Sequence, residues 1–199
     1  MVFAGYSSGP DKAIPTTAVK ILIAGGFGVG KTTLVSEISE VAPLRTEELL
    51  SELSTGTDDL DGVESKTTTT VALDFGRITL SDTLLLYLFG TPGQDRFWFL
   101  WDELSRGSLG AVVLVDTRRL GAAFPAVDYF ERRRIPFVLA VNRFDSADVY
   151  SVEEIRDALA LDADVPIGLC DARRRESIKE ILLTLMEHIL EKASRAQAV

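Results

Sequence analysis

Residues 25–32 read Gly-Gly-Phe-Gly-Val-Gly-Lys-Thr, the spacing G-x-x-x-x-G-K-T. Glycines let a backbone wrap its N–H groups around an anion, and a helix opening directly after them adds positive potential. A lysine at this place gives outer phosphates a point charge, and the hydroxyl beside it reaches Mg²⁺. Gly25, Gly28, Val29, Gly30, Lys31, Thr32 and Thr33 are therefore assigned to a bound polyphosphate, with Thr32 also assigned to the metal. A second cluster, Leu-Ala-Val-Asn-Arg-Phe-Asp at 139–145, sets Asn142 and Asp145 three apart behind an apolar run. An ionised carboxylate accepts two N–H bonds; guanine offers N1–H and a 2-amino group on one edge, and adenine does not. Asp145 is the expected base reader and Asn142 the brace of its loop, which points to GTP and GDP. A third loop, Cys170-Asp171-Ala172-Arg173, follows the next apolar segment, and the Ala172 N–H is expected to donate to the guanine carbonyl.

Residues 88–101, LFGTPGQDRFWFLW, join a Gly-Thr-Pro-Gly turn to one glutamine, an Asp-Arg pair and five large apolar residues. Successive helical positions point about 100° apart, so five such residues do not share one face. Two readings stand. The helix is buried all round by its own domain, or Phe97, Trp98 and Trp101 form a partner surface that depends on the state of the site.

The elements that must position these groups follow from apolar patterning. Val19–Ala24 reads as a strand ending in glycines, and Lys31 to about Val41 as a helix stopped near Pro43. Val71–Ile78 and Thr83–Phe89 read as a hairpin linked at Ser81-Asp82, which gives one antiparallel edge. Ala111–Val115 and Phe137–Val141 are near-continuous apolar runs, as in parallel strands buried on both faces. Val165-Pro166-Ile167 is a weaker strand because proline lacks the ladder donor. Helices are expected near 122–134 and 152–159, and in a last segment where Ile178, Ile181, Leu182, Leu185 and Ile189 share a face. The alternation implies an α/β domain with a parallel or mixed sheet covered on both faces. Residues 1–17 read as a loose leader, 18–192 as the domain and 193–199 as a tail.

Composition narrows the partners. The chain has 199 residues and a formal charge of −9, which argues against nucleic acid and against an electrostatic dock on anionic lipid. With Cys170 as the one cysteine there is no intrachain disulfide, and a reducing, cytoplasmic setting is expected. No apolar run spans a bilayer, and no signal peptide or lipidation motif is apparent. His188 and Cys170 read as structural.

The phosphate loop, the threonine-bearing segment, Pro-Gly-Gln, Asn-x-x-Asp and the Asp-Ala loop occur in the order and rough spacing of a Ras-like small GTPase, over about residues 18–192. The segments "TTTTVALDFG", "TPGQDRF" and "NRFD" look like the bacterial branch that holds the MglA-like and actinobacterial conservon GTPases. The resemblance implies a P-loop NTPase fold of the small-GTPase kind, a mostly parallel sheet with helices on both faces. It implies a GTP-hydrolysing signalling or polarity switch using Mg²⁺, with a Roadblock/LC7-type regulatory partner. On it, Thr70 (or Thr69 in the alternative register) matches the first-switch threonine that senses Mg²⁺ and the γ-phosphate. Thr67 and Thr68 read as plain strand residues. Gly93 matches the second-switch glycine, Gln94 the glutamine that orients the attacking water, and Lys31 the lysine that steadies the transferred phosphate. Arg143 stands where lysine is commonest and packs its stem along the base, with Asp171 and Arg173 flanking Ala172.

Two residues depart from that pattern. Gly90 occupies the place of an aspartate that holds Mg²⁺ through water, so cation affinity falls unless Asp74 or another acid substitutes. Phe27 stands where glycine is frequent and would crowd the γ-phosphate. Together they imply slow hydrolysis, with Arg96 the nearest internal arginine finger, or else a nucleotide-gated interaction module that hydrolyses little on its own.

Overall fold

The computed structural model describes residues 17–42, 44–50, 69–93, 99–145 and 147–197. Its strands are β1 (Thr17–Ala24), β2 (Leu44–Leu50), β3 (Thr69–Ser81), β4 (Leu84–Gly90), β5 (Gly110–Val115), β6 (Phe137–Asn142) and β7 (Ile167–Cys170). Its helices are α1 (Lys31–Ile38), α2 (Phe99–Ser105), α3 (Phe124–Arg133), α4 (Val152–Ala158) and α5 (Arg175–Gln197), with a 3₁₀ helix over Thr117–Ala123. The strands form one sheet in the order β2-β3-β4-β1-β5-β6-β7. β1 runs parallel to both β4 and β5, and β6 and β7 continue the parallel half. β2–β3 and β3–β4 are antiparallel. This is the α/β P-loop fold of small GTPases.

The period-two alternation of a strand divides the core into two layers. Ile21 and Ile23 of β1 point to one face, where Leu34 and Val35 of α1 and Ile178 and Leu185 of α5 cover them. Leu22 and Ala24 point to the other, under Trp101 of α2, Phe130 of α3 and Ile155 of α4. β5 and β6 are buried along their whole length, as their unbroken apolar runs require. α4 is started by a capping box in which Ser151 and Glu154 bond each other's backbone N–H.

Several expectations change. α1 stops at Ile38, because Ser39 is extended and its hydroxyl bonds the Val41 backbone. β2 was not expected; its sequence Leu-Arg-Thr-Glu-Glu-Leu-Leu has no strand alternation, and its pairing with β3 defines it. β7 begins at Ile167, two residues later than the expected strand at 165, and Pro166 contributes only its carbonyl, which accepts from Leu139 N–H. Thr17 opens β1 and donates to Thr83 O, so it belongs to the domain; the remaining leader lies outside the described residues. α5 runs through most of the expected tail, to Gln197. Among the described residues, no helix is long and apolar enough to cross a membrane.

Trp101 is 3% exposed, which corrects its assignment to a partner surface. Its ring meets Tyr129 edge-on at 5.2 Å and Phe130 at 5.8 Å, and its indole N–H donates to Pro92 O at 3.3 Å. Asp102, the next residue, accepts from Tyr129 and pairs with Arg133, tying α2 to α3. Phe97 and Trp98 lie outside the described residues. Truncating a buried aromatic leaves a cavity, so Trp101→Ala should lower unfolding stability by about 3–5 kcal/mol in a denaturant titration. A loss below about 0.5 kcal/mol would mark a surface side chain instead.

Candidate nucleotide site

The site lies at the carboxyl ends of β1, β4, β5, β6 and β7, where open α/β sheets bind ligands. β1 runs into Gly25, whose φ is 130° and whose added Cβ would fall 2.3 Å from Leu114 O. Gly30 precedes α1 at φ 106°, and a Cβ there would meet Asn142 Nδ2 at 2.7 Å. These two glycines are demanded both by left-handed backbone and by close approach. Lys31 is 9% exposed and donates to the carbonyls of Gly25 and Gly26, each at 2.8 Å. Burial pulls the Lys31 ammonium down to about 8, with the Asp74 charge opposing that shift. Thr32 Oγ1 donates to Asp74 Oδ2 at 2.7 Å.

The base motifs stand beside this loop. A cleft of about 250 Å³ is lined by Gly28, Gly30 and Thr33 on one side and Asn142, Arg143, Phe144, Asp145, Ala172 and Arg173 on the other. Asn142 is 5% exposed; its amide donates to Val29 O at 2.9 Å and its oxygen accepts from Ala172 N–H at 3.0 Å. That Ala172 N–H serves Asn142 here, and a base carbonyl would share it with the Asn142 oxygen. Asp145 is exposed in the cleft, with Arg173 Nη2 3.6 Å from its Oδ1. Arg173 is held more closely by Asp171, through Nε at 2.9 Å and Nη2 at 3.1 Å. This pairing depresses the Asp171 carboxyl. Arg143 is exposed, and its N–H donates to Cys170 O. Burial pushes the Cys170 thiol up to about 11, so this cysteine stays protonated and structural.

The end of β4 runs into a segment that packs against the phosphate loop. A Cβ on Gly93 would lie 2.7 Å from Lys31 Nζ and 2.9 Å from Phe27 N, so only glycine lets this segment touch the phosphate loop. Phe27 is 69% exposed, with its ring open to solvent beside the loop. The backbone of Thr70 lies in β3; its side chain, together with Gln94 and Arg96, lies outside the described residues.

The sequence reading missed Asp116, Arg118 and Arg119, which follow β5. Asp116 is 4% exposed and accepts from Arg118 N–H, Nε and Nη2, bonds that depress its carboxyl. The Arg118 guanidinium lies 4.0 Å from the Phe144 ring centre in the base loop, and Arg119 Nη2 donates to Phe27 O at 3.1 Å. Their one sequence signal was position, charged residues directly after a buried parallel strand.

These features define a P-loop nucleotide-binding protein with the Ras-like small-GTPase fold. Residues 23–192 match the family described as conserved hypothetical ATP binding protein, and the chain belongs to that family. Among curated relatives, the uncharacterized protein MJ1339 of Methanocaldococcus jannaschii is 29% identical over 137 residues, covering 68% of this chain and 76% of the relative. The Ras-related protein SEC4 of Saccharomyces cerevisiae is 25% identical over 195 residues, covering 94% of this chain and 81% of its own. The human Ras-related protein Rab-7b is 26% identical over 192 residues, covering 91% and 85%.

Phosphate binding favours the charged form of Lys31 and so raises its pKa above the free value of about 8. Above that pH, binding must take up a proton, and affinity falls as pH rises. Nucleotide affinity should drop about fourfold between pH 7 and 8.5 in a fluorescence titration. Lys31→Met should bind weakly at both values, with the pH dependence gone.

Proposed function

We propose that the protein is a GTP-binding switch that hydrolyses GTP to GDP and phosphate. The observation that carries this reading is the single cleft in which the phosphate-loop glycines and Asp145 face each other, spanned by the Asn142 amide. Its family is described as ATP binding, yet a carboxylate on the base side favours guanine, which presents two N–H donors where adenine presents none. Ras-related names among the relatives support the same choice.

In this reading Lys31 neutralises the outer phosphates, Gly93 senses the third phosphate, Thr70 closes over it, and Gln94 orients the attacking water. Asn142 holds the base loop against the phosphate loop, and Arg143 and Arg173 flank the base. Hard oxygen donors at Thr32 and Asp74 suit Mg²⁺, which when bound offsets charge on the phosphate oxygens. GTP orders the Thr70 and Gly93–Gln94 segments, and hydrolysis releases them. The segments TPGQDRF and NRFD support placement near the MglA-like and conservon branch, and with it a Roadblock/LC7-type regulator. Phe97 and Trp98, with the exposed Phe99 beside them, are the residues proposed to meet it. A second reading, binding with little turnover, is favoured by Phe27 in place of a small residue.

Single-turnover GTP hydrolysis by the purified chain, with ATP as competitor and Lys31→Ala as blank, separates these readings. Blank-corrected turnover of GTP alone is the expected result; tight GTP binding without turnover would replace the switch enzyme by the gated module, and preference for ATP would overturn both. Asp145→Asn removes an acceptor facing guanine and adds a donor. It should weaken GTP about 10–100-fold and favour xanthosine triphosphate, whose second carbonyl replaces the amino group, in a competition assay.

A further inference from the structure

Three consecutive residues, Thr117, Arg118 and Arg119, leave the end of β5 and reach two different loops. The Thr117 hydroxyl donates to Asp148 O at 3.3 Å. The Arg118 guanidinium lies over the Phe144 ring, 4.0 Å from its centre. Phe144 and Asp148 bracket the exposed Asp145 in the chain, so the base loop is held on either side of that carboxylate. Arg119 turns the other way and donates to Phe27 O in the phosphate loop at 3.1 Å. None of the three lines the cleft between the phosphate-loop glycines and Asp145. They act on it from outside, through the loops that do.

The two arginines are held differently. Asp116 is nearly sealed from solvent and takes both arms of the Arg118 fork, Nε at 2.9 Å and Nη2 at 2.8 Å. A bidentate pair fixes the plane of a guanidinium as well as its position. The Phe144 ring thus meets a cationic plane of fixed tilt, which a lysine in the same place would not supply. Arg119 stands farther from that carboxylate, at 3.7 Å, and its bond is to a peptide oxygen. In a trans peptide the C=O and the N–H point in opposite directions. Anchoring Phe27 O from outside therefore aims the Gly28 N–H the other way, into the cleft that Gly28 lines.

We propose that this turn sets base selectivity and phosphate affinity separately. Arg118 is the positioning residue for Asp145 and determines discrimination among purine bases. Arg119 is the positioning residue for the Gly28 N–H and determines how firmly the phosphates are held. The inference rests on the guanine-nucleotide reading above and extends it to two residues that do not touch the nucleotide.

The test measures the affinities of the full chain for GDP, inosine diphosphate and a non-hydrolysable GTP analogue, by competition against a fluorescent GDP. Hypoxanthine lacks the 2-amino group, so the ratio of GDP to inosine diphosphate affinity reads the placement of Asp145. Arg118→Lys keeps a cation beside Asp116 and should lower that ratio about 5–10-fold. Phe144→Leu leaves the Asp116–Arg118 pair intact, removes the ring, and should lower the ratio in the same direction. Arg119→Ala should weaken all three ligands together by about 3–10-fold, with the ratio unchanged. A merely structural role for Arg118 would weaken GDP and inosine diphosphate alike. An unchanged ratio in Arg118→Lys and Phe144→Leu, or a ratio that falls in Arg119→Ala, overturns the division. A loss in Arg119→Ala confined to the GTP analogue would make Arg119 a direct contact to the third phosphate and overturn its positioning role. Wild type that binds neither diphosphate, or both equally, would instead overturn the guanine reading, and this inference with it.

Discussion

The carboxamide of Asn142 joins loops that arise from three different strands. It sits at the end of β6, gives its N–H to the phosphate loop after β1, and takes the Ala172 N–H from the loop after β7. Each group is buried, where an unpaired amide is costly, so the three loops are positioned together or not at all. The geometry also reaches back into the sequence: with Asn142 Nδ2 at this place, residue 30 has no room for a side chain. The glycine required for phosphate approach is thus required a second time by the base side. The parallel half of the sheet makes such a junction possible, because it delivers all three strand ends to one edge.

Two buried charges beside that junction are each matched by a counterpart. Lys31 is buried under the loop it serves and donates to backbone carbonyls, with Asp74 the acid that favours its charge. Asp116, almost fully buried at the end of β5, is matched by three donors of Arg118. That arginine touches the base loop through Phe144, while its neighbour Arg119 touches the phosphate loop through Phe27 O. The segment after β5 therefore braces both halves of the cleft from the face opposite α1.

What was legible in the sequence was local. The glycine spacing at 25–30 and the unbroken apolar runs of β5 and β6 each carry their signal within a few residues, and the structure follows them closely. The α5 stripe is read in the same way, by its 3.6-residue period. β2 was invisible because Leu-Arg-Thr-Glu-Glu-Leu-Leu has no period of two and becomes a strand through pairing with β3. β7 was misplaced because proline marks an element boundary without saying on which side it lies. For Trp101 the count of helical faces allowed burial or exposure; Tyr129 and Phe130, nearly thirty residues away, supply the aromatic wall that decides it. Asp116, Arg118 and Arg119 have ordinary side chains, and only the sheet order reveals that they border the cleft.

The indole of Trp101 reaches Pro92 O, one residue from the glycine that lies against Lys31. The chain contains two tryptophans, and this one is sealed among Tyr129 and Phe130 with its polar end attached to the segment that lies against the phosphate loop. Indole emission depends on the hydrogen bond at nitrogen and on the dipoles around the ring. A shift of Pro92 by less than the width of an atom would alter both. The protein thus carries an intrinsic optical reporter attached to the segment that packs on its phosphate loop, readable without a label.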